Sequence, residues 1–184
     1  PRSQAKTINL GLFYGMGKAK LQAELGVSKD KADELFTIYH ERVPFVKTLM
    51  NSVSNRAQQR GQIRTLLGRL CRFHLWEPNQ FGVHKALPFD QARQEYGAGI
   101  KRAYTYKALN KLIQGSAADM TKKSMLELHK EGIVAHIQVH DELDISVEDD
   151  KKAERIKEIM ESAVELEIPN KVDYESGKNW GEIK

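Results

Sequence analysis

Residues 138–147 read QVHDELDISV, and in them His140, Asp141 and Glu142 stand together between two runs of alternating apolar residues. Upstream, Ile133, Ala135, Ile137 and Val139 recur at every second position; downstream, Leu143, Ile145 and Val147 do the same. A period of two predicts an antiparallel hairpin with strands over 133–139 and 143–148. These apolar residues would share one face, and His136, Gln138, Asp144 and Ser146 the other. A turn that only reverses the chain favours Asn-Gly or Asp-Gly, and this one has no glycine. Asp141 would then project from a rigid support, where a metal ligand is best held. A solvated acidic turn fits the same residues. Adjacent carboxylates repel unless a cation compensates them. A hard ion such as Mg²⁺ suits, because it takes one or two carboxylates plus phosphate oxygens. Zinc suits poorly, since the chain has one cysteine and scattered histidines.

Working outward, a helix is expected over 150–166, with Ile156, Ile159, Met160 and Ala163 on one face, then a short strand near 171–174. Upstream, a helical pattern runs from about Ile100 to Lys130, interrupted at Gln114-Gly115. Prolines and glycines through 75–99 suggest a long irregular segment. QIRTLLGRLCRF (62–73) reads as a hairpin turning near Gly68. Ser28 is a good cap for a helix starting at Lys29, Pro44 breaks it, and a second apolar run reaches Gly61. Trp76 and Trp180 read as packing residues, Cys71 as buried.

At the other end, residues 2–16 read as a helix, in which RSQAKTINLGLFYG (2–15) sets Arg2, Lys6, Leu10 and Tyr14 at four-residue spacing. Each step turns roughly 40°, so the four form a slanted stripe. Arg2 and Lys6 are like charges one turn apart, near an N-terminus that favours anions. An anion held between them, such as a triphosphate, would offset both penalties, and Tyr14 adds a ring suited to stacking on a base. A solvated basic helix with Tyr14 in the core fits the same pattern.

Charge is unevenly spread. Residues 1–140 hold 22 Lys and Arg against 11 Asp and Glu, and residues 141–184 hold 7 against 14, leaving +4 overall. A basic body suggests a polyanionic partner. No apolar run approaches the ~20 residues of a membrane helix. One cysteine rules out an internal disulfide and suits a reducing compartment. Pro1 in place of an initiator Met suggests a fragment or a processed piece.

Basic helix and acidic hairpin together resemble the family A DNA polymerases. The family's fingers motif, Arg-x₃-Lys-x₃-aromatic-x₃-Tyr-Gly, is matched at Arg2, Lys6, Leu10, Tyr14 and Gly15. Its His-Asp-Glu palm motif is matched at His140, Asp141 and Glu142. TLLGR (65–69), NKLIQGSAADM (110–120) and the ending SGKNWGEIK (176–184) also resemble family segments, in order along the chain.

The resemblance implies an α+β fold, with helical fingers over 1–98 and a C-terminal palm part over 99–184. The palm would be an antiparallel sheet with packed helices, incomplete in this chain. It implies transfer of a nucleotide from a dNTP to a primer 3′-OH by a two-metal mechanism. Arg2 and Lys6 would bind the triphosphate, Leu10 would lie by the sugar, and Tyr14 near the templating base. Asp141, helped by Glu142, would hold Mg²⁺. Asn110, Gln114, Gln138 and His140 would contact the primer-template duplex.

Three departures accompany the likeness. The family's second metal-binding aspartate, on a strand upstream of the fingers, has no counterpart. The chain alone is therefore expected to be inactive and to need an upstream thumb and palm part, covalent or in trans. Leu10 replaces an aromatic. Tyr106 stands where an arginine is expected, with Arg102 and Lys107 nearby. A phage-type single-subunit RNA polymerase shares a similar basic helix and a His-Asp motif. A non-catalytic nucleic-acid-binding remnant, or half of a split enzyme, is a further reading.

Overall fold

The computed structural model describes residues 2–80 and 85–183; Pro1, residues 81–84 (with His84) and Lys184 lie outside the described residues. The chain forms two compact units, Pro1–Ile113 and Gln114–Lys184. The fold is α+β, and among the described residues short strands pair in three separate two-stranded antiparallel sheets. The charge asymmetry follows the units. The first carries 19 basic and 8 acidic residues, the second 10 and 17, so their balances are +11 and −7.

The first unit begins with α1 (Arg2–Phe13), α2 (Lys18–Leu25), α3 (Lys29–Arg42) and α4 (Pro44–Arg60). Ser28 caps α3 as expected, its hydroxyl accepting from the Lys31 N–H at 3.3 Å. Such a cap is worth ~1 kcal/mol. Pro44 opens α4, where its missing N–H costs nothing. The helix α2 was not expected: it has no side-chain cap and buries only Leu21, so its pattern is faint.

After α4 the chain turns through Gly61, at φ 68, into the expected hairpin of β1 (Gln62–Arg64) and β2 (Leu70–Arg72). Val53, Ala57, Ile63, Phe73, Ala108 and Leu109 form the core beneath it, with Phe13, Leu49 and Cys71 packed against them.

Three expectations fail between 75 and 115. The supposedly irregular segment holds β3 (Trp76–Pro78) and α5 (Phe89–Tyr96). Pro88 and Gly97 bracket α5, so these residues punctuate a helix instead of preventing one. Ile100–Arg102 is not helical but a strand, β4, paired with β3. A single 3₁₀ turn (Thr105–Lys107) leads into α6 (Ala108–Lys130), which runs unbroken through Gln114-Gly115. One helical glycine costs ~1 kcal/mol, and burial of Leu109 upstream and Leu128 downstream outweighs it.

In the second unit, β5 (Ile137–Val139) and β6 (Glu142–Asp144) form the acidic hairpin, shorter than expected. The helix α7 (Asp150–Ser162) buries Ala153, Ile156 and Ile159, and Asp149 caps it by accepting from Lys152 N–H at 2.8 Å. Residues 171–174 form no strand. The Val172 N–H donates instead to the Glu161 carboxylate at 3.1 Å, and Lys171 pairs with the same group at 3.2 Å. Both contacts hold the Glu161 pKa below the usual carboxylate range. Trp180, expected in packing, is 58% exposed.

In α3 the His40 ring packs on Phe36 and Tyr39, and its Nδ1 is buried with no hydrogen-bond partner among the described residues. Burial, and secondarily the charge of Lys47, lowers its pKa from 6.5. Below pH 6.5 the unfolded chain therefore binds a proton that the folded chain resists, so stability rises with pH there. Urea midpoints measured between about pH 5 and 8 should fall on acidification below 6.5. His40→Gln should flatten that part of the profile. An identical profile in the variant would remove His40 as its cause.

Candidate functional site

The acidic hairpin is rooted in the second unit's core, where Ile133, Leu143, Ile145 and Met160 pack on Leu128, Ile156 and Ile159. Its register sets Ile137 opposite Asp144, Gln138 opposite Leu143 and Val139 opposite Glu142. Directly opposed residues share a face. Ile137, Val139, Glu142 and Asp144 therefore lie together, and Gln138 lies with Leu143. This corrects the expected all-apolar face. The two-residue turn, His140-Asp141, brings odd positions of one strand against even positions of the next. Leu143 faces the core, whereas Ile137 is 42% exposed.

The turn carries its own strain. His140 has φ 53. That conformation favours glycine or asparagine in tight hairpins, and a side chain there costs ~1 kcal/mol. Gln138 steadies the turn, its Nε2 donating to the His140 carbonyl at 2.6 Å. Asp141 and Glu142 are both exposed beside it.

Among the described residues no group of three or more His, Cys, Asp or Glu is placed to hold a metal ion. The pair still suits Mg²⁺ in one respect. This ion needs only one or two protein carboxylates when phosphate oxygens and water complete its shell. Asp141 and Glu142 offer that donor set, and no nitrogen or sulfur cage of the zinc type accompanies it.

In the first unit, α1 buries Leu12 completely and leaves Arg2, Lys6 and Leu10 exposed. Leu10 is 44% exposed, so it is not a core residue. Tyr14 follows the helix end, half-buried, with its ring edge-on to Phe13 at 5.5 Å. Neither Arg2 nor Lys6 has an ion-pair partner among the described residues. The helix is anchored elsewhere, by the Tyr39 hydroxyl donating to Asn9 Oδ1 at 3.3 Å. The stripe thus keeps two exposed cations one turn apart, an arrangement able to receive an anion.

Asn110 and Gln114 lie one turn apart on α6, half-buried and exposed respectively. Arg102, a candidate to stand in for the arginine absent at Tyr106, is committed to structure. Its Nε donates to the Gln58 carbonyl at 3.2 Å and its Nη1 to the Phe73 carbonyl at 3.0 Å. The guanidinium also lies over the Trp76 ring at 4.5 Å.

Sequence reasoning passed over Tyr104, which is held at φ 61, and the approach of Lys107 to the rings of Tyr104 and Tyr106, at 5.2 and 5.6 Å. A signal was present: residues 96–113 contain four basic residues and no carboxylate.

The chain's residues 1–182 match the model of DNA polymerase family A. A DNA-directed DNA polymerase of Pseudomonas phage M6 is 33% identical over 98% of the chain and 29% of that protein. DNA polymerase I of Bacillus caldotenax is 34% identical over the whole chain and 20% of its own length. Among solved structures, the polymerase domain of Pol1 from M. smegmatis, in complex with DNA primer-template and dNTP, superposes with a TM-score of 0.67. It is 28% identical, covering 91% of this chain and 28% of that one. The chain thus spans less than a third of the length of these relatives.

Proposed function

Since the chain belongs to DNA polymerase family A, we propose that it serves template-directed DNA synthesis as part of a longer polymerase. Residues 1–98 supply the fingers and 99–184 part of the palm. The reaction joins a dNTP to a primer 3′-OH and releases pyrophosphate, with two Mg²⁺ ions in the complete enzyme. The observation that carries this reading is the strained, glycine-free turn that sets Asp141 and Glu142 in solvent on a hairpin anchored in a core. A merely solvated turn has no need of that strain.

In this reading Arg2 and Lys6 take the phosphates of the incoming dNTP, lowering the cost of gathering negative charge. Tyr14 offers a ring beside the templating base. Asp141 and Glu142 hold the metal, which when bound neutralises phosphate charge and favours ionisation of the attacking hydroxyl. Asn110, Gln114, Gln138 and His140 contact the duplex. The minor groove presents acceptors at every base pair, so amide donors there read position without sequence.

Primer extension tests the proposal. The chain alone should not extend a primer, because its candidate metal ligands number two. Grafted in place of the matching segment of the Bacillus caldotenax enzyme, it should restore template-directed synthesis. A well-folded chimera that binds primer-template but adds no nucleotide would favour the non-catalytic remnant.

Leu10 supplies a second expected result. Its exposure leaves room for a ring, so Leu10→Tyr in the chimera should not lower the melting temperature. The added hydroxyl can replace the polar contact a dideoxy sugar lacks, worth ~1 kcal/mol. Incorporation of ddNTP relative to dNTP should rise by about fivefold. An unchanged ratio would remove Leu10 from the sugar site.

A further inference from the structure

We propose that the arch after α7, residues 163–169, is a docking site for a partner protein, entered by a bulky apolar side chain flanked by lysine or arginine. This role goes beyond nucleotide transfer and belongs to a face of the second unit turned away from the acidic hairpin.

Three observations carry it. First, the arch is tied at its base. The helix α7 ends where the Ser162 hydroxyl donates to the Glu158 carbonyl at 2.7 Å. Residues 163–169 loop out, and the chain is fastened again at once. Asn170 Nδ2 donates to the Met160 carbonyl at 3.4 Å, and the Val172 N–H and the Lys171 ammonium both hold Glu161. An open groove of about 740 Å³ results, within the roughly 300–1,000 Å³ of concave sites that take a ligand. Second, the groove is apolar. Val164, Leu166, Ile168 and Pro169 line it. Ile168 is 73% exposed, more than any other large apolar residue among the described residues. A single exposed apolar side chain needs no explanation, but four within six positions on one concave surface form a patch. Third, the rim is acidic. Glu158 and Glu165 line the groove, and Glu167 is exposed beside Ile168 in sequence. Residues 154–170 hold five glutamates against Arg155 and Lys157. Arg155, which also lines the groove, is committed to Glu131 and Glu158.

The occupant must bring an apolar anchor and positive charge together. Glu158 and Ser162 lie on the half of α7 turned away from Ala153, Ile156 and Ile159, at about 100° per residue. Ile156 and Ile159 pack in the core that roots the acidic hairpin, so the groove opens on the far side of the helix from Asp141 and Glu142. Nucleic acid is repelled by the glutamates of the rim. A protein segment with one bulky apolar side chain among basic ones matches both features. Its anchor fills the concavity, and its charges meet the rim and steer the encounter.

Fluorescence anisotropy with the whole 184-residue chain tests the groove. The probe is the labelled peptide KKLFRK; KKSSRK removes its anchor and EELFEE reverses its charge. KKLFRK should bind, and each control should bind at least about tenfold more weakly. Ile168→Asp should weaken KKLFRK by about 10- to 100-fold, and a side chain so exposed can be changed without unfolding the chain. Glu165→Lys should weaken it about threefold at low salt, with the loss shrinking as salt rises. In the Bacillus caldotenax chimera both variants should extend a primer as the parent chimera does. Loss of synthesis in either folded variant would overturn the docking role. Loss of synthesis in the parent chimera, with peptide binding intact, would overturn the polymerase reading alone. Parental affinity in Ile168→Asp, equal binding of KKSSRK, or failure of the parent chain to bind KKLFRK would overturn the groove. So would loss of the peptide site in the chimera, which would mark the groove as a seat for the rest of the polymerase. Concentration-dependent sedimentation of the parent chain, abolished by Ile168→Asp, would assign the groove to a second copy and overturn the partner.

Discussion

Asp141→Asn, made in a polymerase completed by grafting, should bind primer-template as the parent does and lose at least about a hundredfold in kcat. Asparagine keeps the shape of aspartate and removes the charge. At an exposed hairpin tip that exchange disturbs no packing, so the fold and the DNA affinity should stay unchanged. The loss falls on the cation. Glu142 remains beside it, but one carboxylate holds Mg²⁺ less well than two, and raising the Mg²⁺ concentration should recover part of the activity. Steady-state kinetics across a Mg²⁺ series, with DNA affinity measured in parallel, separates the outcomes. A fall in kcat below about tenfold, roughly 1.4 kcal/mol of barrier, would exclude Asp141 as a metal ligand. A matching loss of DNA affinity would assign it to the duplex instead.

Arg102→Ala should give the largest loss of stability in the first unit, about 3 kcal/mol. The side chain makes two charge-assisted hydrogen bonds to backbone carbonyls, at 3.2 and 3.0 Å, and covers Trp76. Bonds of this kind contribute roughly 1.5–3 kcal/mol each, less where water reaches them, and the cation–π contact adds ~1 kcal/mol. The Gln58 carbonyl belongs to the last turn of α4, where the negative end of the helix dipole also favours a cation. The expected drop in melting temperature is roughly 6–12 °C. Trp76 can report the transition by itself in a Trp180→Phe background, since the chain has two tryptophans. Arg102→Lys should recover only part of the loss, because an ammonium cannot span both carbonyls as the guanidinium fork does. Gly61 offers an independent check. Its φ is 68, and a Cβ there would sit 2.7 Å from the Arg102 guanidinium carbon, so Gly61→Ala should displace that group and lower stability as well. A change under about 2 °C in Arg102→Ala would show that the two carbonyls are satisfied without it.

The helices most readily read from the chain were those with local signals. Ser28 and Pro44 marked starts and Gly61 an end, because each acts through the backbone within one turn. α5 was misread because the same residue types, Pro88 and Gly97, serve as helix boundaries or loop formers according to what lies between them. β4 was invisible as a strand: its partner, β3, lies more than twenty residues upstream, and pairing overrode the local helical pattern.

The candidate site divides in the same way. Residue order alone settles which residues carry the charge, since Arg2, Lys6, Asp141 and Glu142 stand in short motifs whose spacing survives any packing. It also determined that 138–147 turns back on itself, through alternation of period two. Which face each strand turns to the core is set by the folded pairing, because a slip of one residue in register exchanges the faces and alternation cannot detect it. Tertiary contact alone decided that Arg102 is spent on the fold, and that Tyr104, Tyr106 and Lys107 come together through a residue at positive φ. These outcomes depend on carbonyls and rings brought close by chain segments distant in sequence, and on backbone angles that residue identity biases but does not impose.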